Sequence, residues 1–260
     1  MSDDKIKANI QTVLEHCRKR TLQLARLSSD HKQVEGVASG FFVRIGDAIY
    51  LVSAGHALEK NGWVIETTFT IENECRTACI PIGGPWTLKK LTIGSSKLQE
   101  VDIAWARVNL EAFQKSVTEN KQLRGRSFEY LVYEGSLDHA PDAKEPHIYA
   151  AANRTTLIAA LGKTYLERDF SYEYEMEYKG LTADGLCVFS IPKHKGHAYY
   201  KGASGSPIIE PSGKVVAVLV KGCETKNELY GYPARGLADL IKIGGDVEQM
   251  GATGGKAPKK

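Results

Sequence analysis

The sequence has no apolar run near its start long enough for the core of a signal peptide or for a membrane span. Residues 1–30 begin Met-Ser-Asp-Asp-Lys and stay mixed in polarity, so neither secretion nor membrane insertion is expected. Cysteine is scarce and odd in number, being Cys17, Cys75, Cys79, Cys187 and Cys223. An odd set with no secretory leader points to free thiols in a reducing, cytoplasmic compartment. Cys75 and Cys79 have the spacing of a metal pair, but no second Cys or His pair stands at a partnering distance, and structural thiols are the favoured reading. A basic stripe is also lacking: 34 basic and 31 acidic residues leave a net charge of +3, so nucleic acid is not the expected partner. The one basic tract, Lys256-Ala257-Pro258-Lys259-Lys260, ends a glycine-rich tail and reads as a solvated terminus. No internal repeat recurs at a fixed period.

What is present is an ordinary globular composition, 42% hydrophobic and 25% charged over 260 residues, enough chain to bury a core without disulfide staples. Residues 4–27 read as one amphipathic helix, with Ile6, Ile10, Val13, Leu14, Cys17 and Leu24 at helical spacing. Packing onto the rest of the chain is favoured over docking a regulatory protein partner. From Gly36 onward short β-rich runs alternate with turn residues. Phe41 to Ile45, then Gly46-Asp47, then Ala48 to Ser53 is a hairpin signature. Further strands are expected at 62–71, 76–82 and 101–108. In a second β-rich block, Tyr172, Tyr174, Met176 and Tyr178 alternate with Glu173, Glu175 and Glu177, predicting a half-buried strand with one aromatic and one solvated acidic face.

The expected organisation is a helical extension over 1–32, a first barrel over 33–115, a polar connector over 116–145, a second barrel over 146–242 with a short helix at 237–242, and a flexible tail over 243–260. Two β-rich blocks predict an all-β protein of two packed antiparallel barrels, since closing a sheet removes its exposed edges.

Three segments carry the chemistry. Tyr50-Leu51-Val52-Ser53-Ala54-Gly55-His56 is an apolar strand ending in small residues and a histidine. Val101-Asp102-Ile103-Ala104-Trp105 embeds an aspartate in an apolar strand. Lys201-Gly202-Ala203-Ser204-Gly205-Ser206-Pro207-Ile208-Ile209 sets a serine in a glycine-rich turn before another apolar strand. Each alone has a dull explanation in packing, capping or turning. Together, in the order His, Asp, Ser, they resemble the trypsin-like peptidases of chymotrypsin fold. Ser53-Ala54-Gly55-His56 is similar to that family's Thr-Ala-Ala-His, Asp102-Ile103-Ala104 to its Asp-Ile-Ala, and Gly202 to Pro207 to its Gly-Asp-Ser-Gly-Gly-Pro. Ala38-Ser39-Gly40-Phe41-Phe42-Val43 resembles the strand that opens many bacterial and intracellular members. The resemblance covers about residues 36 to 240. The order separates it from the α/β-hydrolases and from the subtilisins.

The resemblance implies two packed six-stranded antiparallel β-barrels, and a serine endopeptidase acting on protein or peptide substrates without a cofactor or metal. His56 would be the general base, Asp102 its orienting carboxylate and Ser204 the nucleophile, with the Gly202 and Ser204 amides as the oxyanion hole. A catalytically silent or partner-dependent module of the same fold is the alternative, and retention of all three side chains and the oxyanion glycine speaks against it. Ala203 stands where secreted members carry the aspartate that pairs with a newly released N-terminus, and Val34-Glu35-Gly36-Val37 lacks their activation sequence. No zymogen-style activation is therefore expected. Substrate-pocket walls are expected from Ala198, Lys201, Val220, Lys221, Gly222 and Gly231. With Ala198 where an acidic floor would sit, strict Arg/Lys preference is not expected. His194-Lys195-Gly196-His197 lacks a carboxylate or cysteine partner for a metal and reads as a mobile loop.

Overall fold

Helix α1 (Asp3–Arg20) leads directly into the first strands, β1 (Leu22–Leu27), β2 (Val34–Ile45) and β3 (Ala48–Ala54). The structure, a computed structural model, describes residues 3–30, 33–71, 77–82, 86–92, 98–119, 123–124, 132–135, 137–143, 149–153, 156–160, 163–167 and 171–244. The first unit continues with β4 (Trp63–Ile71), β5 (Thr77–Pro81), β6 (Trp86–Thr92), β7 (Leu98–Val108), helix α2 (Leu110–Glu119), β8 (Leu123–Arg124) and β9 (Val132–Tyr133). The second holds β10 (Tyr149–Asn153), β11 (Thr156–Ala160), β12 (Lys163–Glu167), β13 (Ser171–Leu181), β14 (Cys187–Ser190), β15 (Pro207–Ile209), β16 (Val215–Cys223) and β17 (Glu228–Pro233). A closing helix α3 spans 237–244.

The second unit is a closed six-stranded barrel, ordered β10-β13-β14-β17-β16-β15, with the β11–β12 hairpin apart from it. The first is a nine-stranded sheet ordered β5-β4-β1-β2-β3-β7-β6, with β8 against β4 and β9 parallel to β2. It has three more strands than the six expected, because β1 comes from the stretch read as helix and β8 and β9 from the stretch read as a connector. That stretch also supplies Tyr133 and Leu137 to the core. The predicted hairpin is present, Ile45 pairing with Ala48 across the Gly46-Asp47 turn. One apolar cluster joins the units, with Phe41, Val52 and Ile103 from the first meeting Ala150, Val218 and Tyr232 from the second. It includes Ala54, Ile103 and Ile209 from the strands that carry the three chemical segments.

Two sequence expectations are corrected. The helix does not run to residue 27. It closes with the Thr21 amide on the Cys17 carbonyl, and Leu22–Leu27 is a strand paired on both sides, by β2 and β4. Pairing both edges while burying Leu22 and Leu24 outweighs the helical period that Leu24 also fits. Within α1, Val13 and Cys17 are buried in the shared cluster, so the helix packs on the chain. The second correction concerns β13, where Glu173 is buried and Tyr174 is exposed. Glu175 adopts φ +62 and the pairing with β10 shifts between Tyr149 and Ala151, so the strict alternation breaks at this bulge. The terminal tail lies outside the described residues except for its first two positions, which extend α3.

Cys17, Cys79, Cys187 and Cys223 are free thiols; Cys75 lies outside the described residues. Burial pushes the Cys17 thiol far up and Cys187 up to about 12, whereas the Thr225 hydroxyl lowers Cys223. The thiolate is the reacting species, so iodoacetamide at neutral pH is expected to alkylate Cys223 and exposed Cys79 and to spare Cys17 and Cys187 until the chain unfolds. Peptide mapping by mass spectrometry checks this order. Among the described residues, no helix is long and apolar enough to cross a membrane.

Candidate active site

Strand β3 ends at Ala54, and the chain turns through Gly55 into a short 3-10 segment, His56–Leu58. Gly55 is more than a mild variation on alanine. A Cβ there would stand 3.0 Å from backbone atoms of both Asp102 and Ile103, so its absence lets the histidine turn lie against β7. Asp102 itself takes φ +47, a left-handed conformation that aspartate tolerates better than most residues, and its carbonyl accepts the Gly55 amide at 2.8 Å.

Its carboxylate then grips His56 twice. Oδ1 accepts the His56 backbone amide at 2.8 Å, and Oδ2 accepts the ring Nδ1–H at 2.7 Å. The remaining ring nitrogen, Nε2, lies 3.0 Å from Ser204 Oγ. Three side chains from distant segments thus form one unbroken hydrogen-bonded line. The bond to Asp102 is the largest influence on His56 and raises its pKa above the usual 6.5, since it favours the charged ring; partial burial opposes the shift without reversing it.

Ser204 sits in a turn locked to the first unit. The Ser39 amide donates to the Ser204 carbonyl at 3.0 Å, Ser39 Oγ donates to the Gly202 carbonyl at 2.7 Å, and the Gly205 amide donates to Leu219 at 2.7 Å. Gly202 and Gly205 both have positive φ, +83 and +92. Among the described residues the Gly202 and Ser204 amides donate to no acceptor within the chain. Two unengaged N–H groups beside a hydroxyl are what an oxyanion would need.

The six residues expected to wall a substrate pocket are dispersed. Ala198 and Lys201 are exposed in the loop before Ser204, and Val220 is buried. Lys221 reaches over the Tyr230 ring at 5.7 Å, and Gly222 lies close against the His194 ring. Gly231 faces Ala217 and Ile208 in the barrel core. Among the described residues, none of the six lines a shallow cleft of about 250 Å³, open mouth included, that is bordered by Glu173, Tyr199, Tyr200, Ala203, Ser206 and Leu219. Ser206 Oγ is fully buried there without a hydrogen-bond partner. Glu173 and Tyr200 were missed by the sequence reading because the β13 bulge that turns Glu173 inward leaves no mark in its alternation. Tyr200 donates to the Glu173 carboxylate at 2.9 Å. Burial, and then that bond, hold the Tyr200 hydroxyl protonated well above the ordinary tyrosine range. Among the described residues no group of His, Cys, Asp or Glu is arranged to hold a metal; the His194 and His197 rings stack edge-on at 5.8 Å.

Neither family models nor curated proteins match the chain. Solved structures do. A serine endoprotease from Yersinia pestis superposes with a TM-score of 0.52 at 11% identity over 90% of this chain. The chain spans 65% of that protein's length. Mouse neuropsin, a serine protease expressed in the limbic system of the brain, superposes at 0.53 with 12% identity, covering 88% of this chain and 95% of its own. At such identities the shared property is the architecture: the chain has the chymotrypsin-like fold of the trypsin-like serine proteases.

Proposed function

We propose that the chain is a serine endopeptidase, hydrolysing peptide bonds through an acyl-enzyme on Ser204. The observation that carries this reading is the hydrogen-bonded line from Asp102 through His56 to Ser204. A serine hydroxyl is a weak nucleophile at neutral pH, and His56 Nε2 is in reach to take its proton as Oγ attacks the scissile carbonyl. Asp102 holds the proton on Nδ1, which keeps Nε2 free to accept, and stabilises the imidazolium that forms. The oxyanion of the tetrahedral intermediate would be received by the Gly202 and Ser204 amides. The imidazolium then protonates the leaving amine, and water repeats the sequence on the acyl-enzyme with His56 again as base.

The test is covalent labelling. The purified full chain is expected to react with a fluorophosphonate probe, without any prior cut near residue 35, and Ser204→Ala is expected to abolish the adduct. A full chain that stays unlabelled at saturating probe would sink the proposal.

The raised His56 pKa adds a pH signature. Only the neutral ring can accept the serine proton, so the labelling rate is expected to rise with pH along a limb centred above 6.5. Stability runs the other way. A folded-state pKa above the unfolded one contributes stability that is complete below 6.5 and is lost as pH rises through the folded value. The Tm advantage of the native chain over His56→Ala is therefore expected to shrink across that window, as melting curves at successive pH values would read.

A further inference from the structure

Between β14 and β15 the chain crosses residues 191–206 without joining any strand. Its ends are anchored through the backbone, the Ile191 amide donating to the Asn227 carbonyl at 2.9 Å, the His194 amide to Asn227 Oδ1 at 2.8 Å and Ser39 Oγ to the Gly202 carbonyl at 2.7 Å, whereas between them the backbone bonds are local: Tyr199 to Gly196, Lys201 to Ala198, Ala203 to Tyr200. Such turns fix the curvature of residues 195–201 but not where that middle portion lies on the barrel. Side chains supply that, and they converge on two consecutive residues of β13. Lys195 Nζ lies 2.7 Å from Glu173 Oε1, and the Tyr200 hydroxyl donates to the same oxygen at 2.9 Å. The Tyr199 hydroxyl donates to the Tyr172 carbonyl at 3.0 Å, and Lys195 Nζ also donates to the Tyr199 oxygen at 3.1 Å.

Glu173 is 7% exposed. A carboxylate is seldom buried unless partners hold it there. Regular alternation along β13 would leave this side chain in solvent, and it faces inward because the strand bulges, with Glu175 at φ +62. A strained residue is thus retained where it sets a charge beneath the loop. Three residues after Tyr200, and held to it by the Ala203 amide on the Tyr200 carbonyl at 2.9 Å, come Ala203 and then Ser204. Ala203 is buried and uncharged and cannot anchor the turn by an ion pair of its own.

We propose that Glu173 is a positioning residue for the oxyanion-binding turn: through Lys195 and Tyr200 it fixes the 194–203 loop so that the Gly202 and Ser204 amides stand ready in the uncut chain. The inference rests on the peptidase reading above and adds the source of its preorganisation. Glu173 touches no reacting atom; it acts through the loop.

The experiment follows a fluorophosphonate probe reacting with the full chain, separating the maximal rate kinact, the half-saturating concentration KI and the fraction finally labelled. The phosphoryl oxygen of the probe must enter the oxyanion site, so loss of alignment appears in kinact. Glu173→Ala is expected to lower kinact about 100-fold, the scale of losing one oxyanion donor, with KI within about threefold and labelling still reaching completion. Glu173→Gln keeps an oxygen that accepts from Tyr200 and Lys195, and is expected to recover to within about tenfold of the native rate. Lys195→Met, altering a partly exposed side chain, is expected to slow kinact in the same sense and serves if Glu173→Ala folds poorly. A merely structural role would reduce the labelled fraction and leave the rate of the remaining molecules unchanged, and that result overturns the proposal, as does native kinact in Glu173→Ala or Lys195→Met. A native chain that does not label overturns the peptidase reading and this inference with it, whereas a native chain that labels beside equally fast variants overturns this inference alone.

Discussion

Asp102→Asn is expected to lower the maximal rate of Ser204 labelling by about 10⁴-fold while leaving the fold, and the Tm at a pH above the folded His56 pKa, nearly unchanged. The reason lies in the double grip of the carboxylate. One oxygen accepts the His56 backbone amide at 2.8 Å and the other accepts the ring Nδ1–H at 2.7 Å. Asparagine has only one accepting oxygen for these two donors. The backbone amide has no alternative proton arrangement, but the ring does, since imidazole can carry its proton on either nitrogen. The side-chain oxygen is therefore expected to stay with the backbone amide and to turn its NH₂ toward Nδ1. The ring proton then moves to Nε2 and points at Ser204 Oγ, where a base is needed. Every heavy atom remains in place and the chemistry stops. Fluorophosphonate labelling kinetics would measure the loss, and near-native labelling of Asp102→Asn at neutral pH would refute this tautomer assignment.

The segments on which this rests were legible because they are short-range. Ser53 to His56, Asp102 to Ala104 and Gly202 to Pro207 each set a chemically distinctive residue within or beside an apolar strand, and β3, β7 and β15 are the strands concerned. The hairpin at Gly46-Asp47 was legible for the same reason. Leu22 to Leu27 was not, because Leu24 continues the apolar spacing of α1 while Leu22 and Leu24 together also fit an alternating strand. The choice falls to β2 and β4, which pair with it on either side and are formed only when the sheet assembles. Glu173 was misassigned to a solvated acidic face because one bulge at Glu175 reverses the sidedness of the residues before it. The substrate-pocket residues were placed by counting along a resemblance, which carries no information on which way each side chain faces. Covalent spacing was readable; which way a side chain faces after an irregularity was not.

Gly205→Ala is expected to have the largest effect on the fold itself, a loss on the order of 5 kcal/mol. Gly205 lies where the Ser204 turn meets the first unit. A Cβ there would fall 2.1 Å from the Ser39 carbonyl oxygen and 2.3 Å from Ser53 Oγ, with the Ala54 amide nitrogen at 3.0 Å. The first and last of these belong to backbone in paired strands and cannot rotate away. Relief requires the turn to retreat, which breaks the Ser39 amide bond to the Ser204 carbonyl and the Gly205 amide bond to Leu219, 3.0 and 2.7 Å in the native chain. The φ of +92 adds its own strain for a residue with a Cβ, about 1–2 kcal/mol. Gly236→Ala isolates that smaller part, since Gly236 has φ +86 and nothing within 4 Å of the added atom. Melting curves are expected to place Gly236→Ala a few degrees below the native chain, at about 2–4 °C per kcal/mol. Gly205→Ala is expected at least about 10 °C below it, with probe labelling lost even in the fraction that folds. Equal Tm values for the two variants would mean that the turn is free to move away from Ser39. Ser204 would then owe its 3.0 Å approach to His56 to something other than this contact between the two units.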